Sequence, residues 1–299
     1  MKPTLLILAA GMASRYGSMK QIDGFGPNGE TIIDYSIYDA IKAGFGKVVF
    51  IIKEEFEENF RAIFDPKLEG RIATEYVFQN FDLQQFGIEE EIYREKPWGT
   101  AHAILSGRKV INEPFCVINA DDFYGFDAYQ KMVDFLNEEA NDSNYSIIGY
   151  QIGKTLSDFG AVSRGVCKVN NAGNLEEIIE RTKVYQEDGV IVYEEGDKKY
   201  PLDFETPVSM NFWGFTPAVF KITEELFKEF ALAHKDQPKA EFFIPLIGES
   251  LVKTNIATFK VIPTANQWFG VTYKEDKPFV QASIDQLVKD GAYPEKLWS

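Results

Sequence analysis

Short apolar runs alternate with helix-period segments through the first half of this chain, and that alternation is what most limits the folds open to it. Leu5 to Leu8 and the centres of KVVFIIK and PFCVIN are continuously apolar, the pattern of strands buried on both faces. Between them, TIIDYSIYDAIKAG sets Ile33, Ile37 and Ile41 on one helical face and stops at Gly44. EEFEENFRAIF, TAHAILSGRKVI and FDAYQKMVDFLNEEA repeat the helical period, and ATEYVF and YSIIGYQI the extended one. The pattern predicts an α/β fold: a Rossmann-like, mostly parallel sheet flanked by helices, with ligands at the carboxyl ends of its strands.

From about residue 157 to residue 216 the texture changes to short extended segments (GAVSRGVCKV, GVIVYEE, PVSMNFWGF) separated by NNAGN and EEGDKK turns. This predicts a β-rich lobe on the same sheet. One domain over 1–299 is therefore expected: a part at 1–156, the lobe at 157–216, and 217–299 completing the sheet with helices. No internal repeat or hexapeptide array interrupts the pattern.

The 299 residues, 45% hydrophobic, suffice for a large core, and a formal net charge of −15 argues against a nucleic-acid or anionic-membrane partner. A bound polyphosphate would need local cations and a metal ion. Cys116 and Cys167 are too few for a disulfide framework, and Cys116 in PFCVIN reads as a packed thiol. No apolar stretch reaches membrane-spanning length and no signal-peptide pattern precedes the first strand, so the expected location is the cytoplasm. In KPFVQASIDQLVKDGAY, Phe279, Ile284 and Leu287 share a side that packs on the chain's own core, the favoured reading, or on a second copy in a homo-oligomer.

The first apolar run opens into a loop of small residues with two cations, LLILAAGMASRYGSMKQ. Backbone N–H groups left free after a buried strand can face an anion that Arg15 and Lys20 neutralise, with Gly11 and Gly17 allowing close approach. This predicts a phosphate site. LAAGMASRYGSMKQ also resembles the signature of the sugar-1-phosphate nucleotidylyltransferases, the nucleotide-sugar pyrophosphorylases, usually written LAAGxGxRxxPxxPK. Ala13 replaces the second glycine and Met19 a proline. The resemblance implies a GT-A-like nucleotidyltransferase fold whose β-rich lobe binds the sugar. It also implies that Leu8, Ala9, Ala10 and Gly11 bind the nucleotide, that Arg15 holds the β- and γ-phosphates, and that Lys20 reaches toward the α-phosphate.

Further segments match in the family's order. EKPWGTAHAIL resembles the GTAxA segment, giving Gly99 for close approach and Thr100 as helix N-cap and nucleotide partner. His102 is read as a helix-surface or supporting residue without a catalytic role. VINADDFYG resembles the strand-end GD segment, with Asp121 at the metal-binding position, holding Mg²⁺ against the α-phosphate, and Ala120 in place of glycine. Asp122 is left between capping the next helix, contacting substrate through water, and assisting the metal. DFGAV resembles the YGV element and LEEIIERT the EKP segment, so that Gly160 would approach the sugar, Glu180 accept from its hydroxyls, and Arg181 replace the lysine at the sugar phosphate. SMNFWGF resembles NAGIY and nominates Asn211 as a sugar contact.

NQWFGVTYKED resembles WxDxGT, whose aspartate is the second metal ligand, but Gly270 stands there. Either Asp203 or Asp276 reaches in, or the ion is held by Asp121, phosphates and water. The implied reaction joins a nucleoside triphosphate, UTP or dTTP favoured, to a sugar 1-phosphate with release of pyrophosphate. Transfer to phosphocholine or a polyol phosphate, a catalytically weak nucleotide-sugar sensor, and a glycosyltransferase remain as alternatives. A dinucleotide-binding dehydrogenase is disfavoured because GMASRYG lacks the GxGxxG spacing.

Overall fold

The computed structural model describes residues 1–11 and 24–298. Its strands are β1 (Thr4–Leu8), β2 (Lys47–Ile52), β3 (Ala73–Phe78), β4 (Phe115–Asn119), β5 (Asp122–Phe123), β6 (Asn144–Gln151), β7 (Val162–Val169), β8 (Leu175–Glu187), β9 (Val190–Glu195), β10 (Lys198–Leu202), β11 (Pro207–Phe215), β12 (Thr258–Pro263) and β13 (Phe269–Gly270). The helices are α1 (Ile32–Ala43), α2 (Glu57–Leu68), α3 (Thr100–Leu105), α4 (Phe126–Glu138), α5 (Ala218–Ala233), α6 (Ile244–Lys253) and α7 (Lys277–Lys289).

Neighbouring strands β3-β2-β1-β4 are all parallel; the apolar runs of β1, β2 and β4 are buried on both faces, while β3 at the sheet edge is only half-buried. Side chains alternate across this sheet. Leu5, Ile7, Val48, Phe50 and Ile52 enter a core with α1, α2 and α4, while Leu6, Val49 and Ile51 enter a second core with α3, α5 and α6. Local chemistry sets the helix ends. At α1, Thr31 accepts from the Asp34 N–H while Asp34 accepts from the Thr31 N–H, and Gly44 closes the helix at φ 109°, where a side chain would be strained.

β11 joins the parallel half to the antiparallel lobe β7-β8-β9-β10. Along one edge it pairs first with β7, at Val208 and Ser209, and then with β4, at Trp213 to Phe215, while β6 runs along its other edge. Between those two pairings the register slips and Asn211 takes φ 61°. A bulge at this point re-aims a side chain and ends pairing, so β4 and β7 diverge and leave space between their ends. A third cluster, with Phe25, Phe123, Phe269, Val280, Ile284 and Tyr293, packs α7 onto the chain's own core. Ile284 is fully buried there, whereas Phe279 remains exposed. No helix among the described residues is long and apolar enough to cross a membrane.

Candidate active site

The space beside the bulge holds two adjoining cavities of about 300 and 320 Å³, and both are lined by Asn119, Asp121 and Asn211. The lining explains why these residues meet. Asn119 ends β4, Asp121 follows in the turn, and Asn211 sits on the β11 bulge with its Nδ2 3.4 Å from Asn119 Oδ1. Tyr124 braces the turn, accepting from the Asn119 N–H at 3.1 Å and donating to the Met210 carbonyl at 2.8 Å.

The first cavity extends toward the β-rich lobe, past Asp122, Arg164, Glu180, Ser209 and Trp268. Asp122 is buried and does not cap α4, whose N-cap is Gly125; one of its oxygens accepts from Asn119 Nδ2 at 2.9 Å. Burial, and then the charge of Asp121, raise its pKa, with Asn119, Arg164 and Tyr124 opposing. Glu180 stands exposed in the cavity mouth, yet enough protein surrounds its carboxyl to raise the pKa, with Arg164 acting against the shift. Arg164 is buried over the Trp268 ring, its guanidinium carbon 4.9 Å from the ring centroid. Burial lowers its pKa to about 10, which leaves it charged at neutral pH.

The second cavity runs along the ends of β1 and β2, lined by Leu8, Ala10, Gly11, Ile51, Gln79, Gly99 and Thr100. Ala9 faces the core instead, and its N–H bonds the Ile51 carbonyl. Thr100 is not the N-cap expected from its sequence; Gly99 is, at φ 103°, and Thr100 Oγ1 accepts from the Ile244 N–H at 3.2 Å. The close approach at Gly99 is to the chain itself, since a Cβ there would lie 2.6 Å from the Phe242 carbonyl oxygen. His102 is not on a helix surface: it is buried among Phe81, Phe86 and Phe227, and desolvation holds its pKa down to about 3. Its Nδ1 lies 3.3 Å from Gln79 Nε2.

Arg15 and Lys20, with Ala13, Gly17 and Met19, lie outside the described residues. Glu180 and Arg181 point to different surroundings. Arg181 lines neither cavity; it stacks over Tyr193 at 4.2 Å and pairs with Glu195 at 3.1 Å, away from the sugar-phosphate position expected for it. Gly160 lines neither cavity and packs against Tyr273, whose hydroxyl oxygen would be 2.7 Å from a Cβ at that position. Asp203 is exposed in a turn, and both oxygens of Asp276 are engaged, one by Ser157 Oγ at 2.8 Å and one by the Tyr273 N–H at 2.7 Å. Neither Asp203 nor Asp276 lines the two cavities. The group beside Gly270 is Asp122, its partner in the β5–β13 pairing. Arg164 and Gln79 are among the cavity residues that sequence reasoning did not single out, each standing alone in a strand-like or loop segment.

A family model described as nucleotidyl transferase matches residues 6–242. Among solved structures, the inositol-1-phosphate CTP transferase of T. maritima superposes with a TM-score of 0.61 at 12% identity, covering 95% of this chain and 97% of that one. A protein described as a glucose-1-phosphate thymidylyltransferase of Bacillus anthracis gives 0.61 at 14% identity, covering 94% of each chain. A UDP-glucose pyrophosphorylase complexed with UDP-glucose gives 0.58 at 16% identity, covering 96% and 99%. These likenesses establish a shared fold. No curated protein matches the sequence.

Proposed function

The chain belongs to the nucleotidyl transferase family, and on that premise we propose that it transfers a nucleotidyl group from UTP or dTTP to a sugar 1-phosphate. The observation that carries this reading is the junction of two cavities at Asp121. A triphosphate in the cavity along β1 and an acceptor in the cavity along β7 would meet at this junction.

An acceptor phosphate oxygen is already anionic and needs no general base. It forms a new bond to the α-phosphorus as the bond to the β-phosphate oxygen breaks, and pyrophosphate leaves with that electron pair. Holding two anions in line is then the main requirement. The described side chains suit such a displacement better than a covalent route: His102 is buried and neutral, and both cysteines are buried with raised thiol pKa values. Arg15 and Lys20 supply the cations for the triphosphate in this reading.

The donors at the junction are carboxylate and amide oxygens, and no group of three His, Cys, Asp or Glu gathers among the described residues. That set fits Mg²⁺, which binds through one or two carboxylates and completes its octahedron with water and substrate phosphates. Asp121, with Asp122 beside it, would hold the ion, which when bound supplies charge neutralisation at the α-phosphate.

Gln79 supports the choice of base. It lines the second cavity with its Nε2 3.3 Å from His102 Nδ1, and in this reading its side-chain oxygen is the atom that accepts from the base. Uracil and thymine offer an imide N–H there, whereas the cytosine ring nitrogen is itself an acceptor. Arg164 supports a sugar over phosphocholine, because it already covers a face of the Trp268 ring that a quaternary ammonium would need. Glu180, Ser209 and Asn211 instead offer polar partners for hydroxyls.

The test is a panel of four nucleoside triphosphates against several sugar 1-phosphates and phosphocholine, scored by pyrophosphate release. UTP or dTTP with a sugar 1-phosphate should turn over, and Asp121→Ala should lower turnover by about two orders of magnitude or more without unfolding the chain. Pyrophosphate release unchanged in Asp121→Ala would refute the assignment.

A further inference from the structure

We propose that Arg164 is the residue that grips the phosphoryl oxygens of the acceptor, and so sets which acceptors are used; this rests on the nucleotidyl-transfer reading above. Resemblance assigns that place to Arg181, but Arg181 is committed to Glu195 and Tyr193 of β9.

Charge leads to Arg164. An anionic acceptor must enter a cavity that already carries Asp121, Asp122 and Glu180, and like charge opposes its entry. Arg164 is the one cation among the described residues lining the two joined cavities. It is 6% exposed, and a buried charge is costly unless it is paired.

Its hydrogen bonds leave that pairing incomplete. Nε donates to Thr155 Oγ1 at 3.0 Å, one terminal nitrogen donates to the Ser163 carbonyl at 2.7 Å, and the other donates to the Thr155 carbonyl. All three acceptors are neutral. Asp122, Glu180 and Asp276 act on it through space, and none is hydrogen-bonded to it among the described residues. A guanidinium has five N–H groups, so two remain without a partner among the described residues. The Thr155 and Ser163 bonds and the Trp268 ring fix the plane of the fork before substrate arrives. A fixed fork with two free N–H groups matches the geometry of a phosphoryl group.

The experiment compares wild type, Arg164→Lys and Arg164→Gln with Mg²⁺, saturating nucleoside triphosphate and varied sugar 1-phosphate. Acceptor KM should rise about 10- to 100-fold in Arg164→Gln, the loss of a charged hydrogen-bonding partner, and less in Arg164→Lys. The KM for the triphosphate should stay within about twofold, a split that general structural damage would not give. Unchanged acceptor KM in both variants, or a rise produced by Arg181→Gln in their place, overturns the proposal. If the Arg164 variants do not fold, Thr155→Val decides, because it frees Nε and loosens the fork: acceptor KM should rise several-fold, and no rise refutes the role. Calorimetric titration of glucose 1-phosphate into wild type and Arg164→Lys, each with a non-hydrolysable triphosphate bound, separates the two claims. Weaker binding in the variant upholds Arg164 even where no pyrophosphate is released and the transfer reading fails, and equal binding rejects it.

Discussion

Gly270 is held to glycine by space. Its backbone lies outside the left-handed region, but an added Cβ would fall 2.6 Å from Asp122 Oδ1, 3.0 Å from the Trp268 ring and 3.3 Å from the Asp121 carbonyl oxygen. Gly270→Ala should therefore displace the Asp122 carboxylate. We expect a cost of about 1–3 kcal/mol in stability and a fall in turnover of tenfold or more, read by urea unfolding and steady-state kinetics. Wild-type values of both would show that Asp122 has room to swing aside. The same neighbourhood shows what a sequence reveals at this scale. The place of Asp121 at the cavity is legible because an apolar strand ends there, and strand ends of such sheets face the ligand. Arg164 is not legible, since VSRGV reads as any half-exposed strand and the ring that covers the arginine is Trp268, more than 100 residues later. Nor can sequence tell that Arg181 leaves the cavity that Glu180 lines, because it lies opposite Arg164 in the β7–β8 pairing and is drawn instead to Tyr193 and Glu195 of β9, a contact that only the folded lobe supplies.

At the scale of elements, the β11 bulge makes the site, and its strained residue separates two roles. Asn211 holds φ 61°, which asparagine tolerates better than most residues and glycine adopts freely. Asn211→Gly keeps the bulge and removes the side chain that lines both cavities, so it should fold with nearly the wild-type melting temperature while acceptor KM rises about tenfold. Asn211→Ala loses the same side chain and adds about 1–2 kcal/mol of backbone strain, so its melting temperature should also fall. Equal acceptor KM in wild type and Asn211→Gly would leave the side chain without a binding role. The elements themselves are largely legible, since each apolar run and each helical stripe carries its own period, and the Thr31/Asp34 box and Gly44 mark both ends of α1. The cap of α3 is not. Thr100 follows the local rule for an N-cap, but the Phe242 backbone lies so close over residue 99 that glycine takes the position, and that contact comes from a segment about 140 residues away.

Across the whole molecule, the C-terminal segment straps α1 against the sheet. Tyr293 and Leu297 are buried, Trp298 Nε1 donates to Asp34 at 2.9 Å, and the Tyr293 hydroxyl donates to Asp39 Oδ2 at 2.6 Å. Nothing in residues 290–298 carries a period that announces this strap, which is specified by burial against a helix formed about 250 residues earlier. Asp39 makes the strap pH-dependent. It is buried on α1 with Oδ1 lacking a hydrogen-bond partner, and burial raises its pKa from 3.8 to about 7 against the opposing effects of Tyr293 and Lys42. Below about pH 4 the acid is protonated in folded and unfolded chains alike and adds no pH dependence. Between about pH 4 and 7 only the unfolded chain releases the proton, so native stability falls by up to about 1.4 kcal/mol per pH unit; above pH 7 both states are ionised and the loss is constant. A side-chain amide in place of this carboxyl would keep an oxygen acceptor for the Tyr293 hydroxyl and has no proton to lose. Asp39→Asn should therefore gain on wild type by about 2–3 kcal/mol between pH 5 and pH 7, measured by urea unfolding at each pH. Parallel stability curves for the two chains would mean that Asp39 ionises normally and that water reaches the strap.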